Sequence, residues 1–220
     1  MIYSNTDFIP SDALPFSQAC ENNKQPILSV LQKELVETAH VLEVGSGTGQ
    51  HSVYFAPRLA HLIWQTSDVL ANHAAIHAWH ASHPATNLYA PLAFDLSCDS
   101  LPINTDNHAP YDAFFTANTL HIIAWPLVVR LFALAGETLP LGGKLIVYGP
   151  FNENGHYTSA SNQQFDMSLR QRDPKSGIRN KEDIVALANT HHLMLSNTYV
   201  LPANNQILVF TKSVESNESF

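Results

Sequence analysis

From Thr38 onward, short apolar, β-rich runs alternate with segments whose apolar residues recur at helical spacing, the pattern of βαβ units in a mostly parallel sheet. HVLEVG (40–45), LIWQTS (62–67), TNLYAPLA (86–93), YDAFFTA (111–117), GKLIVYG (143–149), LMLSNTYVL (193–201) and QILVFTK (206–212) read as seven strands. Helices are expected at 50–60, 71–82, 124–139 and 180–191, the last capped by Asn180 with Asp183 at its third position. Residues 95–110 read as irregular and polar. Pro202-Ala203-Asn204-Asn205 is too short for a crossover helix, so the last two strands are expected to pair antiparallel. Upstream, residues 17–37 read as a helical lead-in, interrupted near Pro26, that packs over one end of the sheet. The polar insert at 150–179, with one helix at 161–171, has the length of a lid or binding loop. The tail at 213–220 is expected to fray.

At 220 residues the chain suits one domain and is short for two. Its 45% hydrophobic and 14% charged residues support a packed core rather than disorder. A net charge of −8 with no basic cluster argues against nucleic-acid and anionic-membrane partners. Cys20 and Cys98 lie far apart with no CxxC pairing, which fits a reducing compartment and opposes a zinc site. MIYSNTDFIP lacks the basic and apolar regions of a secretion signal, and HIIAWPLVVRLFALAG is broken by Pro126 and Arg130. That segment falls short of the ~18 apolar residues of a membrane span. A cytoplasmic protein is expected; the pattern does not set its oligomeric state.

Candidate chemistry centres on Val41-Leu42-Glu43-Val44-Gly45-Ser46-Gly47-Thr48-Gly49, an apolar strand running through three glycines into a helix. Glycines permit a tight turn and let a ligand lie against bare backbone, while the helix start offers N–H groups. The spacing is GxGxG, with Gln50 where the dinucleotide fingerprint wants a small residue, so NAD is demoted. Asp68 ends the second strand twenty-three residues beyond Gly45, where a carboxylate can accept both hydroxyls of a ribose. Asp95 ends the third strand at the same crevice, placed to accept from an exocyclic amine such as adenine's, or else to form a turn. With Glu43 nearby, three carboxylates favour a positively charged ligand over a pyrophosphate.

VLEVGSGTGQ, Asp68, the Phe94-Asp95 pair, the terminal hairpin and the seven strands resemble class I methyltransferases dependent on S-adenosylmethionine, over about 38–212. ENNKQPIL, GSGTGQHSVYFA, FNENGHYTSASN, the SLR and RDP pieces, GIRN and PANN are more narrowly similar to a small methyltransferase-like family filed as a domain of unknown function. The resemblance implies a Rossmann-like α/β fold with S-adenosylmethionine as cofactor. It further implies that Gly45, Ser46, Gly47 and Gly49 approach the cofactor, Asp68 its ribose and Asp95 its adenine. Glu43 would orient the loop or reach the cofactor's ammonium through water, Asn118 would line the crevice, and Asn23 and Lys24 would close over it. Relatives often carry Arg where Asn22 stands here.

His121 and Tyr148, near the carboxyl ends of strands four and five, are the candidate catalytic residues. His121 as a general base competes with a histidine bonded to backbone. Asn152, His156, Arg170 and Arg179 in the insert are the candidate substrate-binding residues; Arg172 resembles the two arginines, and for all three an ion pair with Asp166, Asp173 or Asp183 is the competing role. His73, His77 and His80 share a helical face that is expected to meet water rather than a metal. Methyl transfer to a small molecule is the expected activity. A noncatalytic cofactor-binding protein and a nucleotide-dependent oxidoreductase are the alternatives.

Overall fold

The computed structural model describes residues 14–103 and 109–214. Residues 1–13, residues 104–108 of the polar stretch and the end of the tail from 215 lie outside the described residues.

The seven expected strands form β1 (His40–Val44), β2 (Ile63–Asp68), β3 (Leu88–Ala93), β4 (Ala113–Ala117), β5 (Lys144–Asn152), β7 (Leu193–Leu201) and β8 (Asn205–Lys212). A two-residue β6 (Arg179–Asn180) pairs with the end of β5. The helices are α1 (Gln18–Glu34), α2 (Gln50–Phe55), α3 (Leu70–Ser82), α4 (Trp125–Thr138), α5 (Ala160–Arg172) and α6 (Lys181–Thr190). Main sheet order is β3-β2-β1-β4-β5-β8-β7, parallel except that β8 runs antiparallel to both β5 and β7. Left-handed Ala203 (φ 58°) and Asn204 (φ 55°) make the tight turn of the hairpin.

Every residue of β1 is buried, as befits a central parallel strand covered on both faces. One face packs Val41, Phe115 and Ile146 beneath Ile27, Leu31 and Leu35 from α1 and its end. The other packs Leu42, Phe114 and Val147 against Val128 and Phe132 of α4 and Ile184 of α6. The chain runs outward from β1 to β3, then returns to place β4 on the other side of β1. Where strand order reverses, the loops at the carboxyl ends diverge and leave a crevice.

Three expectations need correction. The lead-in is one unbroken helix through Pro26 and covers a sheet face rather than an end. Proline removes one backbone donor, and burial of Ile27, Leu28 and Leu31 just beyond it holds the helix together. Asn180 occupies the cap position of α6, but its side chain donates to Asp183 instead of capping the backbone. The α3 histidines do not share a watery face: His77 is exposed, whereas His73 meets the Asp68 carbonyl and His80 the Ser52 hydroxyl (both 3.0 Å). Burial, then the neighbouring His77, pushes His80 down to about 4. Among the described residues no helix is long and apolar enough to cross a membrane.

Gly49 sets the approach of α2 to α3. Its φ is 86°, and a Cβ there would lie 3.1 Å from the Ile76 Cα. Gly49→Ala therefore combines left-handed strain with an inter-helix clash, and is expected to cost about 2–4 kcal/mol in chemical denaturation.

Candidate functional site

At the strand-order reversal lies a cavity of about 640 Å³. Its floor is the turn after β1, where Gly45 and Gly47 take left-handed φ of 76° and 60°. A Cβ on Gly45 would press on Thr119 Oγ1 at 3.1 Å, whereas one on Gly47 meets nothing within 4 Å. Gly47 thus presents bare backbone to open space, and Gly49 serves helix packing instead of lining the cavity. Ser46 lines the cavity and donates to Glu43 Oε2 (3.1 Å), which also accepts from Trp64 Nε1 (3.0 Å). Glu43 consequently sits behind the loop and orients it. Burial pushes its carboxyl up to about 7, against the two hydrogen bonds from Trp64 and Ser46 and with help from the Asp68 charge.

Asp68 faces the cavity and ties it together: Oδ2 accepts from the Gly47 N–H (2.7 Å), Oδ1 from the Val69 N–H (2.7 Å) and Asn72 Nδ2 (2.9 Å). Asp95 lines the same cavity, and Ser97 holds its carboxyl below the usual range. Asn118, left-handed at φ 57°, donates its N–H to the Tyr148 carbonyl (2.9 Å) and stands on the far wall. Asparagine tolerates that conformation better than most residues.

His121 also lines the cavity, only 4% exposed, with its ring edge-on to Phe165. Burial, then the Arg179 charge, pushes it down to about 4. His51, not anticipated, lines the cavity from α2; burial and then Lys24 push it down to about 4. Its Nε2 lies 2.6 Å from Asn23 Oδ1. Among the described residues no Lys or Arg lines this cavity. With both imidazoles neutral at pH 7, its formal charges are the carboxylates of Asp68 and Asp95.

A second chamber of about 370 Å³ adjoins the first, sharing Ala19, Asn118 and Phe165 with it. Asn23 and Tyr148 line this smaller space, together with Ser161 and Asn162 of the insert. Gln50, the residue that broke the dinucleotide fingerprint, bonds the Ser17 backbone and straps the start of α1 to the glycine loop.

Other expected residues lie elsewhere. Lys24 pairs with Glu21 and sits over the Tyr54 ring, lining neither chamber. Arg170 Nε donates to Asp166 Oδ2 (2.7 Å), and its guanidinium fills the place of a side chain at Gly177. Burial would raise the Asp166 pKa, but bonds from Arg170, Tyr157 and the Ile178 N–H outweigh it and hold the carboxyl low. Arg179 donates to the carbonyls of Leu120 (3.0 Å) and Ile123 (2.6 Å). With the Gly177 N–H on His121 O and the Ser176 hydroxyl on Ile122 O, the insert grips four consecutive carbonyls of the β4–α4 loop. Both guanidiniums are thus committed to their own chain. Asn152 reaches toward the Ile178 carbonyl and His156 is exposed in a bridge to Glu153; neither lines a chamber.

A family model described as a protein of unknown function, DUF938, matches residues 14–212. The chain belongs to that family. Its fold is that of class I methyltransferases. Human N-acetylserotonin methyltransferase, solved in complex with S-adenosylmethionine, superposes with a TM-score of 0.74 at 13% identity, covering 90% of this chain and 53% of that one. An O-methyltransferase family protein from Burkholderia thailandensis gives 0.73 at 14% identity, covering 90% and 58%. A putative O-methyltransferase from Nostoc punctiforme gives 0.75 at 16% identity, covering 88% and 56%. The chain thus spans little more than half the length of these proteins.

Glu43 makes the loop pH-sensitive. The unfolded chain releases this proton near the ordinary 4.5, the folded chain near 7, so the folded state loses its advantage as pH rises between the two values. Above pH 7 the loss is on the order of 3 kcal/mol. Glu43→Gln keeps an acceptor for Ser46 and Trp64 without the charge. Thermal melts are expected to match wild type at pH 4 and to lie several degrees higher at pH 8.

Proposed function

We propose that this chain transfers a methyl group from S-adenosylmethionine to a small-molecule acceptor. The observation that carries this reading is the charge of the larger cavity: two carboxylates and, among the described residues, no Lys or Arg. A pyrophosphate there would face net repulsion, whereas a cationic sulfonium and ammonium would be attracted. The cavity suits the cofactor in shape as well, since Gly47 leaves its backbone open and Phe94, Leu96 and Leu127 offer apolar surface for a purine. Neighbouring folds include methyltransferases, one of them solved with this cofactor.

In this scheme Asp68 accepts from the ribose, Asp95 from the adenine amine, and the Gly45–Gly47 backbone lies against the methionine part. The cofactor supplies a methyl group already activated by its sulfonium. The chain's work is to hold the acceptor in line and exclude water, where proximity contributes up to ~7–11 kcal/mol. His121, neutral and buried, is a weak base. It serves an acceptor that becomes strongly acidic on methylation, such as an ether oxygen still carrying its proton. Burial raises the Tyr148 pKa against the bond from Asn23, so that hydroxyl keeps its proton at neutral pH.

Calorimetric titration with S-adenosylhomocysteine checks the assignment. Asp68→Ala is expected to weaken binding at least tenfold, on the order expected for a charged hydrogen-bond acceptor. Gly47→Ala should also weaken it while costing only about 1–2 kcal/mol of stability, because its Cβ enters ligand space rather than protein. Wild-type affinity in Asp68→Ala would remove this ligand from the cavity.

A further inference from the structure

The smaller chamber differs in chemistry from the cavity beside it. Among the described residues, no Asp, Glu, Lys, Arg or His lines it. Its polar groups are neutral amides and hydroxyls, including Asn22, Asn162 and Asn205, and its apolar faces are flat: Pro26, Pro150, Pro202 and the Phe165 ring. A charged guest would leave water without meeting a counter-ion, a cost that a neutral one escapes. Flat apolar walls with amide edges suit a planar ring bearing polar substituents. The shared border at Asn118 and Phe165 brings such a guest against the cofactor cavity.

One hydrogen-bond direction can be followed from wall to wall. An amide oxygen only accepts, so His51 Nε2, 2.6 Å from Asn23 Oδ1, must carry the ring's hydrogen. The Asn23 amide also tempers the rise that burial gives the Tyr148 phenol, the effect of a hydrogen bond offered to its oxygen. A phenol O–H on a chamber wall is a donor that a guest can use. Tyr148 lines the chamber and is 3% exposed.

Resting on the methyl-transfer reading, we propose that the smaller chamber holds the acceptor, and that this is an uncharged, planar small molecule with a hydrogen-bond-accepting atom met by the Tyr148 hydroxyl. Asn23 and His51 act through Tyr148 as positioning residues. They span the two chambers, so the donor that reads the acceptor is set from the wall of the cofactor cavity.

The test titrates the full chain, with and without saturating S-adenosylhomocysteine, by ligand-observed NMR with three probes of one size: acetophenone, ethylbenzene and benzoate. Acetophenone is expected to bind the loaded protein saturably and more tightly than benzoate. Tyr148→Phe should weaken acetophenone about fivefold and leave ethylbenzene unchanged, because only the carbonyl loses a partner. His51→Leu should give the same selective loss, and His51→Gln, whose amide can donate to Asn23, should restore it. Equal losses for acetophenone and ethylbenzene, tighter binding of benzoate, or no saturable acetophenone binding would overturn the proposal. Failure of S-adenosylhomocysteine itself to bind would instead overturn the methyl-transfer reading, whatever the probes do.

Discussion

The Asp68 carboxylate, held between the Gly47 N–H and the start of α3, fixes the geometry on which the site depends. A left-handed glycine turn has little conformational preference of its own. Here the Gly45 and Ser46 N–H groups both bond the Ser67 carbonyl, and the Ser67 hydroxyl bonds the Glu43 carbonyl (2.7 Å). Glu43 closes the arrangement from below through Ser46 and Trp64. The loop is therefore shaped before any ligand arrives, with Gly47 as its open face. Preorganisation of this kind reduces the ordering cost of binding.

The opposite wall is built by different means. The β4–α4 loop carries Asn118 and His121, and the insert secures it through four successive carbonyls. Arg179 and Arg170 are consumed in this framework, and Asp166 anchors the insert to itself through Tyr157, Arg170 and the Ile178 N–H. The insert still shapes the acceptor side, because α5 presents Ser161, Asn162 and Phe165 to the smaller chamber. It contributes neutral groups and keeps its charged ones elsewhere.

The strands were legible because a parallel sheet covered on both faces demands apolar runs, and β1, β4 and β5 satisfy that demand almost without interruption. The places of Asp68, Asp95 and Asn118 in the cavity were legible for a related reason: a residue at the carboxyl end of a parallel strand has its place set by topology alone. The insert was not readable in that way. Whether Arg170 meets a ligand or Asp166 depends on a contact within the insert, and residue types are the same in either case. Pro26 misled because helix propensity is a local cost that α1 offsets by tertiary burial. His51 left a faint signal, two positions after Gly49 on the helix that the glycine loop opens. Its importance comes from Asn23, which sequence separation hides.

The most direct measurement is a calorimetric comparison of S-adenosylmethionine with NADH on the wild-type chain under one buffer condition. A cavity charged, among the described residues, by Asp68 and Asp95 alone is expected to bind the sulfonium cofactor saturably and to give no measurable heat with the pyrophosphate-bearing one. Saturable binding of NADH together with no binding of S-adenosylmethionine would contradict the account and assign the same crevice to a dinucleotide.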